Sequence, residues 1–211
     1  MKKIFFDTEF TSLQKDTTLI SIGFVCDDSC FYGVCTDYDE SLVNDWVQVN
    51  VVNNLELNEE MRSLYDITEF TGTKTEVGKA FADWMMEKVS KDPKEKFELI
   101  SDVCHYDMVL FIDMFGTAFD IPKNICPACY DINMDILGYL KNIRSSATLA
   151  DAFDKNREEL LIDIITDSDG SVSSEEWDTT WKELDPSCKH NALYDAIIIQ
   201  QLYHHLQNRL T

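Results

Sequence analysis

The chain has 211 residues, which is enough for one well-packed domain and short for two compact ones. Its 18 Lys and Arg and its 39 Asp and Glu give a formal charge of −21, which argues against a protein that coats duplex DNA or anionic membranes with basic side chains. Hydrophobic residues make up 45% and aromatic residues 11% of the chain, which argues against disorder.

The N-terminus and the cysteines predict a cytoplasmic protein. The first apolar stretch ends at Asp7, shorter than the roughly 7–15 apolar residues of a signal peptide. No stretch approaches the roughly 20 apolar residues that span a bilayer, so we expect no membrane partner. Seven cysteines without a signal indicate reduced thiols. Cys126 and Cys129 could form half of a zinc site or a redox pair, but no second pair has zinc spacing, so we interpret them as buried or incidental thiols.

The apolar pattern along the chain predicts strands first and mainly helices later. The predicted strands span residues 4–10, 19–26, 31–35 and 97–100. The predicted helices span residues 42–52, 75–89, 108–115 and 191–210, and a loop is expected over residues 120–131. This order predicts a single α/β domain over residues 1–211, with a mixed central sheet flanked by helices.

Two carboxylates end the first predicted strand. Asp7 and Glu9 are two positions apart, so both side chains leave the same face of the sheet. Like charges at the end of a buried apolar run repel each other, and a structure tolerates them where a cation compensates. In a chain with 39 acids, the same pattern also fits a strand end that reaches solvent.

A third candidate acid lies near the start of the predicted helix over residues 108–115. If the helix begins near Tyr106, Asp107 shares a face with Leu110 and Phe111 and points toward the core. Asp102 competes with Asp107, but it lies at the end of a predicted strand, where Asp commonly forms turns and caps. We therefore prefer Asp107 as the site residue.

A fourth acid and a histidine open the C-terminal helix. Asp195 shares a face with Ile198 and Ile199, so it is a carboxylate on an apolar stripe. His190 precedes Asp195 by five residues, so the two side chains can converge only if His190 lies in the loop before the first turn. Taken alone, His190 also fits a surface or capping residue.

Together, the four carboxylates and the histidine form a chemically coherent set. Several carboxylates can hold two divalent cations about 3.5–4 Å apart, which stabilise the attacking and leaving oxygens of a phosphoryl displacement. Oxygen ligands suit Mg²⁺ or Mn²⁺ better than zinc. A neutral histidine nearby can take the proton from the attacking water.

Three motifs resemble those of the DEDDh group of 3′–5′ exonucleases, in the ribonuclease T-like superfamily. The matching residues are Asp7-Thr8-Glu9, Tyr106-Asp107, and His190 with Asp195. The chain looks most like a subgroup of small single-domain bacterial exoribonucleases. The resemblance extends from end to end but is dense only near these motifs. Residues 155–187 look like an enlargement on that plan.

The resemblance implies a ribonuclease H-like fold and an exoribonuclease activity. It implies two Mg²⁺ or Mn²⁺ ions held by four carboxylates, those of Asp7, Glu9, Asp107 and Asp195. His190 would activate the water that attacks the terminal phosphodiester of single-stranded RNA or a short oligonucleotide with a free 3′ end. Nucleoside 5′-monophosphates would be released. The residues expected to contact this substrate are Thr8, Phe10, Leu13 and Tyr106, with Phe10 and Leu13 packing on the terminal base.

Some residues depart from this resemblance or lie outside it. The Asn common in the second motif is Val103 here, so direct contacts to the substrate sugar are not predicted there. Residues 167–176 half match a calcium loop, but the first position is Ile165, which cannot ligate, so we interpret them as an acidic turn before a helix. A path for the substrate backbone and a merely solvated face are equally good interpretations of Lys141, Arg144, Lys155 and Arg157.

Two alternatives to the exoribonuclease remain. A DNA-preferring exonuclease of the same fold is the closer one. A noncatalytic acidic protein that mimics nucleic acid and binds basic sites on a partner also fits the charge of −21. Such a mimic would spread its acids over the surface and gain no marked thermal stability from divalent metal. The sequence leaves both a monomer and a homodimer open.

Overall fold

The computed structural model describes residues 1–166, 184 and 186–210, with a mixed six-stranded sheet at the centre. The strands are β1 (Lys2–Phe10), β2 (Leu19–Cys26), β3 (Ser29–Cys35), β4 (Asp66–Gly72), β5 (Phe97–Ser101) and β6 (Ile125–Asp131). Their order across the sheet is β4-β3-β2-β1-β5-β6. β1, β2 and β3 pair antiparallel, whereas β4 runs parallel to β3, β5 to β1, and β6 to β5.

Helices cover both faces of this sheet. They are α1 (Asp45–Asn50), α2 (Glu59–Leu64), α3 (Lys74–Trp84), α4 (Cys104–Asp113), α5 (Asn133–Ile143), α6 (Leu149–Phe153), α7 (Arg157–Ile165) and α8 (Ala192–Leu210). Because side chains alternate along β1, Phe5 packs in the core on the α8 side, whereas Ile4 and Phe6 pack against α3 and α4. The structure therefore confirms an α/β domain with a mixed central sheet flanked by helices. None of the described helices has the length and apolar character that a membrane span requires.

The central elements follow the predicted apolar pattern closely. β2 is buried at every position, as expected for a strand covered on both faces. β1, β3, β5 and α8 likewise correspond to predicted elements. The half-matched calcium loop at residues 167–176 lies outside the described residues.

The prediction of a loop over residues 120–131 is wrong, because residues Ile125–Asp131 form β6. Within the described residues, β6 is an edge strand that pairs with β5, and an edge position tolerates Pro127, which lacks an N–H donor. The sequence also did not predict β4, the other edge strand, which is partly exposed along its length and lacks a continuous apolar run. Both errors concern strands whose pairing, rather than their apolar pattern, defines them.

Two predicted helices have different bounds from those expected. The helix expected over residues 42–52 is interrupted, because the Asn44 side chain accepts a hydrogen bond from the Val47 N–H and caps a short α1. The helix expected over residues 108–115 begins earlier, at Cys104, and ends at Asp113. The earlier start places Asp107 in the first turn of α4, as a helix beginning near Tyr106 requires.

Gly23 allows α8 to approach the sheet beside Asp7. In the β1–β2 pairing, Gly23 is opposite Asp7. A Cβ atom at Gly23 would lie 2.4 Å from both the Ala192 carbonyl oxygen and the Leu193 Cα. Such a separation is far inside van der Waals contact, so only glycine permits this approach. The first turn of α8 is thereby held over the strand pair that carries Asp7.

We expect Gly23→Ala to lower the free energy of unfolding by about 2–3 kcal/mol, because backbone atoms of α8 cannot move aside without displacing the helix. Urea denaturation measures this change. Gly72→Ala is the matched control. Its added Cβ would meet side-chain atoms of Phe70 at 2.9 Å and Glu76 at 3.0 Å rather than backbone atoms, so the loss should be smaller and limited to the Thr73–Glu76 cap. Equal losses in the two variants would contradict the close approach as the reason for Gly23.

Candidate functional site

The candidate site lies where the parallel central strands β1 and β5 reach their C-terminal ends. This end of the strands, distinct from the edge strands β4 and β6, is the sheet edge that carries the site residues. Asp7 and Glu9 lie in the last part of β1, and Asp102 directly follows β5. The first turns of α4 and α8 supply Asp107 and Asp195. The carboxyl ends of parallel strands are a common location for binding sites in α/β proteins.

Six side chains at this edge form two groups that could hold a metal ion. In the first group, the aspartate triad, one carboxylate oxygen from each of Asp7, Asp102 and Asp107 lies within 4.8 Å of the other two. In the second group, the mixed triad, the ligand atoms of Glu9, His190 and Asp195 satisfy the same limit. All five residues of the sequence motifs therefore fall into the two triads, together with Asp102.

Two hydroxyl groups orient Asp107, which is only 1% exposed. Thr8 Oγ1 donates to Asp107 Oδ1 at 2.5 Å, and Ser101 Oγ donates to Asp107 Oδ2. Thr8 is expected from the sequence to contact the substrate, but its buried hydroxyl is used by Asp107. The structure therefore places Thr8 behind the carboxylate that it orients.

Asp7 is a buried carboxylate of the site without a compensating partner among the described residues. It is 8% exposed, and no side-chain hydrogen bond or ion pair links it to another residue in the described ranges. A buried carboxylate without a partner is costly, and a bound cation would remove that cost. This orphaned carboxylate, beside those of Asp102 and Asp107, is the observation that fits a metal ion best.

His190 lies in the turn before α8, the position that the sequence requires if it is to approach Asp195. Its backbone has a φ of 65°, a left-handed conformation that non-glycine residues rarely adopt. This conformation directs the His190 N–H to Asp195 Oδ2, 3.1 Å away. The imidazole contacts the Trp46 ring edge to face, with the centroids 5.0 Å apart. The imidazole thus lies between Trp46 and the carboxylates of Glu9 and Asp195.

Loss of water and mutual repulsion raise the pKa values of the four predicted ligands. For Asp7, burial raises the pKa well above its usual range, and Asp107, Asp195 and Glu9 raise it further. For Glu9, burial is again the main cause, followed by Asp195 and Asp107. Burial raises the pKa of Asp107 to about 7, against its hydrogen bonds from Ser101 and Thr8. Burial and the nearby Asp102 raise that of Asp195 to about 8.

The pKa of His190 moves in the opposite direction. Burial lowers it from the ordinary value of 6.5, and the positive charge of Lys189 lowers it further. A lowered pKa keeps the imidazole neutral at pH 7, so a ring nitrogen can accept a proton. The electrostatics of the site therefore produce a neutral base beside a cluster of acids.

A groove of about 510 Å³ opens beside Glu9 and is lined by Phe10, Leu13 and Trp46. The ring of Phe10 stacks on that of Tyr106, with centroids 5.1 Å apart, and the Tyr106 hydroxyl donates to the Leu13 carbonyl oxygen at 2.8 Å. Leu13 is 76% exposed. Two of the four residues expected to contact the substrate, Phe10 and Leu13, therefore line a groove that begins at Glu9, and Tyr106 supports both of them from outside its lining.

The sequence preferred Asp107 to Asp102 as the site residue, whereas the structure brings both into the aspartate triad and places Trp46 against His190. The position of Asp102 at a strand end indicated a turn residue, and only the approach of β1 brings it to Asp7. Trp46 gave no functional signal in the sequence. Two arginines considered for a substrate path are used elsewhere: Arg144 pairs with Asp151, and Arg157 pairs with Asp102.

Cys129 has a different cysteine neighbour in the structure from the one that the sequence spacing indicated. Cys129 lies beside Cys104 rather than Cys126, with the two sulfur atoms 3.0 Å apart. All seven cysteines are free thiols, and no group of potential metal ligands in the described ranges includes one. Neither Cys126 nor Cys129 is fully buried.

No protein-family model matches the chain, and no curated protein matches it either. The interpretation of the site therefore depends on its geometry and chemistry. Those show two clusters of acidic residues that could hold metal ions, at one edge of an α/β domain.

We expect the metal-free protein to lose stability as the pH rises from about 4 to about 8. Asp195 in the folded chain keeps its proton up to about pH 8, whereas an ordinary Asp releases it near 3.8, so the folded state binds more protons across this window. Asp195→Asn retains an oxygen for the His190 N–H but cannot ionise. In EDTA, the melting temperature of this variant should fall less between pH 4 and pH 8 than that of the wild type. At pH 8 the variant should therefore melt at a higher temperature than the wild type.

The matched control for this measurement is Asp83→Asn, since Asp83 is exposed on α3 and distant in sequence from the triads. It should keep the wild-type pH dependence. A wild-type melting temperature that is constant or rises between pH 4 and 8, with no difference in Asp195→Asn, would contradict the buried carboxylate cluster.

Proposed function

We propose that the protein is a metal-dependent 3′–5′ exonuclease that releases nucleoside 5′-monophosphates from single-stranded RNA or short oligoribonucleotides. One observation carries the proposal. The five motif residues come from three distant parts of the chain, and they lie in two triads at one sheet edge. Asp7 and Glu9, on the same face of β1, contribute one carboxylate to each triad.

The fold is compatible with the ribonuclease H-like architecture that the proposal requires. β1, β2 and β3 form an antiparallel meander, and β5 and β6 continue the sheet parallel to β1. Helices cover both faces of the sheet. β4 adds a further edge strand beside β3.

The residues of the two triads fit Mg²⁺ or Mn²⁺. Five of the six are carboxylates, which are the oxygen ligands that these ions prefer. With Arg157 paired to Asp102, the fully ionised cluster has a formal charge of −4, which two divalent ions would balance. When bound, such ions supply the positive charge that stabilises the attacking and leaving oxygens of an in-line displacement.

The chain's own residues would orient the substrate and move the proton. The main-chain N–H of His190 donates to Asp195, which fixes the backbone, and the neutral imidazole, in contact with Trp46, would accept the proton of the attacking water. The terminal base would pack against Phe10 and Leu13 in the groove beside Glu9. Aromatic stacking tolerates any base, which suits removal of successive nucleotides from a single strand.

The distribution of acids favours the nuclease over the acidic nucleic-acid mimic. A mimic presents its acids to the partner protein, whereas Asp7 and Asp107 are buried at the end of the sheet. Buried carboxylates cannot contact a partner protein, so they would not help a surface to imitate phosphate. It is the arrangement expected of residues that share bound cations.

We expect the purified protein to release labelled mononucleotide from 3′-labelled single-stranded RNA in Mn²⁺, while 5′-labelled RNA shortens in steps. Asp7→Ala should abolish release, because it removes the buried ligand that has no other partner. The measurement is electrophoresis of the products over time. Asp83→Ala, which removes an exposed acid on α3, is the matched control and should retain activity.

No mononucleotide release from RNA or DNA, or release that survives Asp7→Ala, would overturn the proposal. DNA oligonucleotides of the same sequence, tested in parallel, decide the substrate. Faster cleavage of DNA would replace the exoribonuclease with the DNA exonuclease of the same fold. Absence of cleavage together with absence of a Mn²⁺-induced rise in melting temperature would favour the acidic mimic.

His190→Gln separates a proton acceptor from a metal ligand, since the geometry of the mixed triad permits both. If His190 is the base, activity should fall by about 10²–10⁴-fold, while Mn²⁺ still raises the melting temperature as in the wild type. The acidic limb of the wild-type pH–rate profile should lie below pH 6.5 and disappear in the variant. His204→Gln, an exposed position on α8, is the matched control. Loss of the Mn²⁺ effect in His190→Gln would instead make His190 a ligand.

A further inference from the structure

Arg157 begins α7, in the segment that looks like an enlargement on the exonuclease plan, and it reaches the candidate metal centre. Its Nε donates to Asp102 Oδ2 at 2.8 Å. The two side chains are only 14% and 15% exposed, so the pair is largely shielded from water. Asp102 is separated from Arg157 by 55 residues, and only the fold brings them together.

The rest of the Arg157 guanidinium is held by the protein. Nη1 donates to the carbonyl oxygens of Ala152 at 2.8 Å and Lys155 at 3.2 Å. Nη2 donates to Asn133 Oδ1 at 2.9 Å. A guanidinium held by so many acceptors has little capacity left for a substrate phosphate. Arg157 is therefore placed to position Asp102 rather than to line a path for the nucleic acid.

Asp102 is also fixed from its main-chain side. The Asn133 amide donates through Nδ2 to the Asp102 carbonyl oxygen at 2.7 Å. The same Nδ2 donates to Asp131 Oδ1 at 2.8 Å, which holds the amide in place. Arg157 and Asn133 thus bond to each other, and they bond to the side-chain carboxylate and the main-chain carbonyl of Asp102, respectively. That residue has a carboxylate oxygen within 4.8 Å of ligand atoms of Asp7 and Asp107.

We propose that Asp102 is a fifth carboxylate of the metal centre and that Arg157 is the positioning residue that orients it. The proposal rests on the proposed function, because it concerns the same site. Among the residues that the structure describes, Arg157 is the one whose side chain bonds to the Asp102 carboxylate where it follows the end of β5. The bound guanidinium fixes one carboxylate oxygen and leaves the other for a cation. It also cancels the charge that this additional acid brings.

Glu158, the residue after Arg157, connects α7 to the other triad as well. Glu158 forms an ion pair with Lys189 at 3.4 Å, beside His190. The first two residues of α7 thus contact the aspartate triad on one side and the loop of the mixed triad on the other. The segment beyond the motifs supports both triads.

Arg157→Lys tests the proposal, because it keeps the positive charge and removes the planar fork that grips Asp102 and Asn133 together. The readout is the binding of Mn²⁺ alone to the full chain, followed by electron paramagnetic resonance of free Mn²⁺. The Mn²⁺ concentration at half-saturation should rise by about tenfold or more, since residues that orient metal ligands commonly affect affinity to this extent. Asp102→Asn should weaken Mn²⁺ binding by at least as much.

The double variant identifies the route of the effect. If Arg157 acts through Asp102, Arg157→Lys should cause no further weakening in the Asp102→Asn background. Arg144→Lys is the matched control, because Arg144 forms an exposed pair with Asp151 in the same helical region, and it should leave Mn²⁺ binding unchanged. All binding is measured well below the melting temperature of each variant, so a general loss of stability does not contribute.

Each result either supports or overturns the proposal. Unchanged half-saturation in Arg157→Lys, even with a lower melting temperature, would make Arg157 merely structural. An equal loss in the Asp102→Asn background would show that Arg157 does not act through Asp102. If the wild type binds no Mn²⁺ and releases no nucleotide, the proposed function itself fails. If the wild type binds and cleaves but the variants match it, only the role of Arg157 fails.

Discussion

Repulsion between carboxylates that have lost water at the end of β1 is the constraint on which the rest of this structure depends. Asp7 and Asp107 are buried together, and the burial raises both pKa values. Isolated charges in such a place would destabilise the fold by more than most single contacts contribute. The metal-free protein relieves the repulsion with protons. Divalent cations would relieve it without a proton, and that difference couples metal binding to stability.

The surrounding elements hold the acids in place despite this repulsion. Gly23 lets α8 approach the strand pair beside Asp7, which brings Asp195 to the sheet edge. Thr8 turns its hydroxyl inward to Asp107, so alternate residues of β1 serve the site from both faces. Arg157 reaches across from α7 to Asp102. Each contact restrains a carboxylate that would otherwise turn toward water.

The candidate site gives the large negative charge of the chain a proposed role in binding cations. The chain has no excess of basic residues to bind phosphate, and two of its arginines are already paired with aspartates. Under the proposed function, substrate phosphate is bound through cations held by the triads rather than through Lys and Arg. Under the same proposal, the remaining acids would repel long duplexes, so single-stranded ends are the expected substrates.

The sequence by itself determined the central strands β1, β2, β3 and β5 and the long helix α8, because apolar periodicity is a local property of the chain. Motif spacing singled out the five residues that the fold brings into the two triads. The sequence also required His190 to precede α8, since a helical His190 would point away from Asp195. Only the tertiary structure decided the edge strands β4 and β6 and the place of Asp102 in the aspartate triad. Strand pairing and the Asp102–Arg157 contact join residues far apart in the chain, and no local pattern records which distant segments the fold will bring together.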